Sequence, residues 1–155
     1  MSEDLDVRWQ RARHWLDSVR SASARIEPLI REITAMQDAY DSMLPWQTSG
    51  SGSGGLGTHS DPTMTQALAR TDSFATILAN KRAKLETLYD IVGNCGRILT
   101  RLGDALTDSH SLALELYYVD CAETWSSVAD ELGVSRTKLW QLRDESYEWI
   151  ECRFT

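Results

Sequence analysis

A sustained heptad on either side of a Gly/Ser-rich break constrains this chain more than any other feature of it. With Leu5 as position a, the first stripe runs Leu5, Ala12, Val19, Ile26, Ile33 and Tyr40. Its d positions are Arg8, Trp15, Ala22, Leu29, Met36 and Met43, so eleven of the twelve sites are apolar. The stripe resumes at Met64 and continues through Thr71, Leu78, Leu85, Val92, Leu99 and Leu106 at a. Ala67, Phe74, Lys81, Leu88, Cys95 and Leu102 occupy d, and eleven of these thirteen sites are apolar. Apolar residues every 3.5 positions place one continuous seam along a helix, which must pack against another helix. Two helices of about 40 residues would each run about 60 Å at the standard rise.

The segments follow from this. Residues 1–46 read as one long helix, with Pro28 predicting a kink or break near residues 24–28, because proline removes a backbone donor and crowds the preceding turn. Residues 47–61 read as a flexible linker, with Asp61 able to cap the next helix and Pro62 at its first position. Residues 62–107 read as the second long helix. The predicted fold is all-α: a long antiparallel, coiled-coil-like helical hairpin followed by a C-terminal helix-turn-helix domain at 108–155. A pair this long and narrow is expected to cover its remaining seam with another copy, giving a homo-oligomer through the long helices.

Residues 108–155 change character. DSHSLALELYYVD (108–120) predicts a short helix with an apolar face at Leu112, Leu116 and Val119. TWSSVADEL (124–132) predicts a Thr124-capped helix with Trp125, Val128, Ala129 and Leu132 on one stripe. Gly133-Val134 supplies a turn, and Ser135 caps a last helix whose inward face is Leu139, Leu142, Ser146 and Ile150. Two short helices joined by a glycine turn are helix-turn-helix anatomy. Trp125 and Trp149 are expected in the core, since tryptophan is mostly buried.

LELYYVDCAETWSSVADELGVSRTKLWQL resembles the helix-turn-helix of sigma-factor region four and of the RinA/ArpU-type phage late transcriptional regulators. Tyr117, Tyr118, Thr124, Trp125, Val128, Ala129, Leu132, Gly133 and Ser135 carry the resemblance. A long helix, a Ser/Gly-rich stretch closing in Ser-Asp-Pro-Thr (60–63) and a second long helix extend it over most of the chain. Where that group usually carries a glycine between the first two helices, this chain has Cys121-Ala122-Glu123. The resemblance implies a phage- or prophage-encoded regulator of late packaging and morphogenesis genes, working in the cytoplasm of a bacterial host. Double-stranded DNA is then the expected partner, and RNA polymerase a further candidate.

If Leu139 and Leu142 face inward, Ser135, Arg136, Thr137, Lys138 and Gln141 face outward. In a DNA-reading helix they would enter the major groove, with Arg136 or Lys138 donating to guanine and Gln141 pairing with adenine. The bland alternative is a capped, solvated helix start. Trp140 either contacts a thymine methyl or packs against Tyr147 or the hairpin, and Arg143 completes the basic set. Charge argues the other way. Residues 108–155 hold four Lys/Arg against ten Asp/Glu within a chain of net charge −7. A DNA-binding domain is usually basic. Yet Gly133–Leu142 contains no acid, which leaves one positive window between acidic flanks. The rival is a protein-interaction module that docks on RNA polymerase or a packaging component.

No catalytic function is expected, because the chain offers no nucleophile–base pair, and SGSGSGG lacks the lysine of a phosphate loop. Cys95, Cys121 and Cys152 are odd in number and far apart, and His14, His59 and His110 accompany no cysteine pair. Reduced thiols, no metal and no cofactor are therefore the expectation. The acidic N-terminus MSEDLDVRW predicts no signal peptide, and no apolar run predicts a membrane span.

Overall fold

The computed structural model describes residues 7–42 and 62–154. The expected linker at 47–61 and the Asp61 cap lie outside the described residues. Every regular element among the described residues is helical. The long helices are α1 (Gln10–Ser42) and α2 (Pro62–Ala105). Then come α3 (Asp108–Leu114), a π-helical turn (Glu115–Val119), α4 (Trp125–Leu132) and α5 (Arg136–Glu151). No helix among the described residues is long and apolar enough to cross a membrane.

Of the kink or break expected near residues 24–28, the break does not occur, since α1 is continuous through Pro28. Pro28 and Ala24, whose carbonyl loses its partner, both lie on the exposed side, where water can replace the missing bond. The chain divides into two compact units close to this point: Met1–Ile26 with Thr87–Thr155, and Glu27–Glu86. The 108–155 segment therefore does not stand as a unit of its own. In the Glu27–Glu86 unit Leu29 and Leu78 are buried and Tyr40 stacks on Phe74. Lys81 pairs with Glu32 at 2.6 Å, and Arg82 donates to Gln37.

In the other unit the core joins residues distant in sequence. Ala12, Leu16 and Val19 from α1 pack with Cys95, Leu99 and Leu102 from α2 and with Leu114, Tyr118, Tyr147 and Ile150. Leu16 is fully buried although it lies off the a/d seam, because the C-terminal helices cover a second side of α1. The start of α1 is fastened from α5. The Ala12 amide, one of the donors a helix start leaves open, donates to Glu151 at 2.7 Å, and the Trp9 indole donates to Glu148. Gly103 lets α3 come close, since a Cβ there would lie 3.3 Å from the Ser111 Cβ.

The segment after Asp108 differs from the single helix expected over 108–120. Helix α3 ends at Leu114 and the chain widens into the π turn, closed by Asp120 N–H donating to the Glu115 carbonyl at 2.9 Å. The buried face is Ala113 and Leu114 at the end of α3 and Leu116 and Tyr118 in the turn. Leu116 is buried as expected, Val119 is half-buried and Leu112 is exposed. Arg20 clamps this turn from α1, donating to the Tyr117 and Ala122 carbonyls with its guanidinium 4.2 Å from the Tyr117 ring centre.

Candidate nucleic-acid interface

Two caps and one glycine set the local geometry. Thr124 Oγ1 accepts from the Ser127 amide at 3.1 Å and starts α4. Gly133, at φ 66°, ends it in the left-handed region that glycine enters without steric cost. Ser135 Oγ then accepts from the Lys138 amide at 3.1 Å and starts α5. Val128 and Ala129 on α4 pack against Leu139 on α5, with Leu132 and Val134 beside them. Leu142, Ser146, Tyr147 and Ile150 continue the buried face of α5. Trp125 and Trp149 are half-buried against the core rather than enclosed in it.

Ser135, the cap residue, and Arg136, Thr137, Lys138 and Gln141 on α5 are all exposed. Trp140 is 39% exposed. Its ring meets Trp125 at 6.2 Å, and the Arg143 guanidinium sits 4.3 Å from its centre. Arg143 is half-buried and gives both Nε and an NH2 group to Asp144, at 2.8 and 2.7 Å. Its charge is thus spent within α5 and on the aromatic faces, unlike that of Arg136 and Lys138 at the open end of the helix.

The acids that follow this window are all bonded inside the protein. Asp144 holds Arg143, Glu145 accepts from His110 and Gln141, Glu148 accepts from Trp9, and Glu151 caps α1. The hydrogen bond from His110, and after it the one from Gln141, keep the Glu145 carboxyl below its ordinary range. Sequence reasoning treated these carboxylates as one acidic flank. Arg143 and Gln141 are neighbours on α5 itself, but His110 on α3, Trp9 and the Ala12 amide are distant in sequence, and no spacing within α5 could have revealed them.

A cavity of about 230 Å³ opens among Trp9, Asp17, Tyr117, Trp125, Arg143 and Tyr147. The Tyr118 and Tyr147 hydroxyls bond to each other beside it, and burial pushes both phenols above their ordinary value. Cys121, between the π turn and α4, adopts φ 58°, a left-handed conformation that glycine suits better. Among the described residues no group of three or more His, Cys, Asp or Glu could hold a metal ion.

No protein-family model matches the chain, and neither a curated protein nor a solved structure matches it.

Proposed function

We propose that this chain is a DNA-binding transcription regulator in which α4, the Gly133 turn and α5 form a helix-turn-helix, with α5 read into the major groove. The observation that supports the reading is the exposed, acid-free start of α5, with Arg136, Lys138 and Gln141 all open to solvent and the carboxylates that follow them already hydrogen-bonded within the chain. A net acidic unit can then approach duplex DNA through one positive window, and the field around that window rather than the total charge governs the encounter. Arg136 and Lys138 supply phosphate or guanine contacts, and Gln141 a base contact. Ser135 and Thr137 flank them, Trp140 offers an apolar edge, and Arg143 supports that ring.

The resemblance to phage late regulators makes the target a promoter region of packaging or morphogenesis genes in a bacterial cytoplasm. The paired helices of the Glu27–Glu86 unit act as a hairpin that assembles copies of the chain. Ile30 and Ile77 remain 38% and 47% exposed there, apolar surface that a second copy would cover. Several reading heads on one assembly offset weak binding by each. Docking on RNA polymerase is the second reading, favoured by the exposed acids Asp130 and Glu131 on α4. A mobility-shift titration with full-length protein and duplex DNA at rising salt tests the choice. Salt-sensitive retardation supports DNA binding. No retardation at low salt, together with co-purification of polymerase, supports docking.

A further inference from the structure

His110 sits on α3, 6% exposed, and none of the proposed DNA contacts involves it. Its Nδ1 lies 2.6 Å from Thr107 Oγ1, and its Nε2 lies 2.6 Å from Glu145 Oε2. The second oxygen of the same carboxylate, Oε1, accepts from Gln141 Nε2 at 2.8 Å. A chain of hydrogen bonds therefore runs from the cap residue of α3 to an exposed side chain on α5.

The chemistry of the links fixes their direction. A carboxylate only accepts, so His110 Nε2 carries a proton and Gln141 turns its NH2 group toward Glu145. The Gln141 Oε1 and one remaining N–H are left for a ligand. An acceptor beside a donor matches the N6–H and N7 pair that adenine shows in the major groove. Glu145 alone, 45% exposed in its side chain, would be a loose partner; His110 anchors it from inside the fold. A glutamine already held in one orientation loses less freedom on binding than a mobile one.

We propose that His110 is a positioning residue: through Glu145 it orients the Gln141 amide so that α5 selects adenine at one position of its DNA site. The inference rests on the DNA-binding reading and adds a base preference and its cause.

The experiment has two arms. In the first, full-length protein selects from a randomised duplex library at low salt. The native chain enriches adenine at one position. Gln141→Ala and His110→Phe each lose roughly 5- to 150-fold discrimination there, the span of one base contact. Neither changes the salt dependence of binding to non-cognate duplex, because no phosphate contact is removed. Glu145→Gln, at a half-exposed site that a fold tolerates, places an amide NH2 against Gln141, turns the Gln141 amide over and also loses adenine.

The second arm follows the Gln141 side-chain amide signals by NMR in the absence of DNA. They shift in His110→Phe and in Glu145→Gln. Unchanged signals in either folded variant overturn the proposal, as does retained adenine preference. Should the signals shift while the native chain retards no duplex, the relay stands, the DNA-binding reading fails, and the adenine assignment falls with it.

Discussion

Replacing Leu16 by alanine tests whether the first turns of α1 belong to the same folding unit as α5. Leu16 is fully buried, and its neighbours in the core come from α2, α3, the π turn and α5. Removing three carbons from such a site forfeits their transfer free energy and leaves a cavity, together about 2–5 kcal/mol. Rigid helices on several sides limit how far the site can collapse, which favours a loss of about 3 kcal/mol. With a urea slope of about 1.5 kcal/mol/M, the unfolding midpoint falls by about 2 M. Trp9, Trp15, Trp125, Trp140 and Trp149 all lie in this unit, so tryptophan fluorescence follows its unfolding. Leu112→Ala is the control, because Leu112 is 43% exposed and its truncation is expected to cost about 0.5 kcal/mol or less. Equal midpoints for the two variants would refute the packing of α1 into the C-terminal helices.

Cys121→Gly relieves a left-handed backbone that costs a side-chain-bearing residue about 1 kcal/mol, and gives up only sulfur contacts of 3.7–3.9 Å. A thermal midpoint a few degrees higher is expected, and a lower one would show that the thiol contacts outweigh the strain. Burial pushes the Cys95 thiol up to about 12, so iodoacetamide near neutral pH should label exposed Cys152 first and Cys95 only after unfolding, as read by peptide mass spectrometry. The folded protein keeps its protons on Cys95 and Tyr118 above their ordinary values of 9.0 and 10.0, while the unfolded chain releases them. The stability these two groups contribute is therefore full below pH 9 and lost as pH rises, more steeply beyond 10, and Tyr118→Phe should flatten the upper part of a urea midpoint–pH profile.

Much of the architecture was legible because it is local. The heptads located both long helices, and Thr124, Gly133 and Ser135 marked the ends of α4 and α5 through hydrogen bonds to residues three away. Leu139, Leu142, Ser146 and Ile150 fell on one face by the helical period and are buried as a set. What escaped was non-local. Nothing in the pattern of ELYYV marks a π turn, and Leu112, drawn on the apolar face, is exposed. Leu16 looked like a residue beside the seam, since its burial depends on helices a hundred residues later. The partners of the acidic flank escaped for the same reason, because the Ala12 amide, the Trp9 indole and His110 that bind its members lie on other elements. The window itself was readable, but the fixing of Gln141 by Glu145 and His110 was not.

The proposed DNA contact rests on the charge at the open end of α5, and one measurement addresses it directly. Full-length protein with both Arg136→Ala and Lys138→Ala is compared with the native chain for duplex DNA binding across a salt series, with the urea midpoint recorded alongside. Both side chains are exposed, so the midpoint should move by no more than about 0.5 kcal/mol in stability terms. Binding should weaken, and the slope of log affinity against log salt should shrink by about 0.9 for each phosphate contact removed. Unchanged affinity and slope in a variant that remains folded would contradict the assignment of α5 as the DNA-contacting helix.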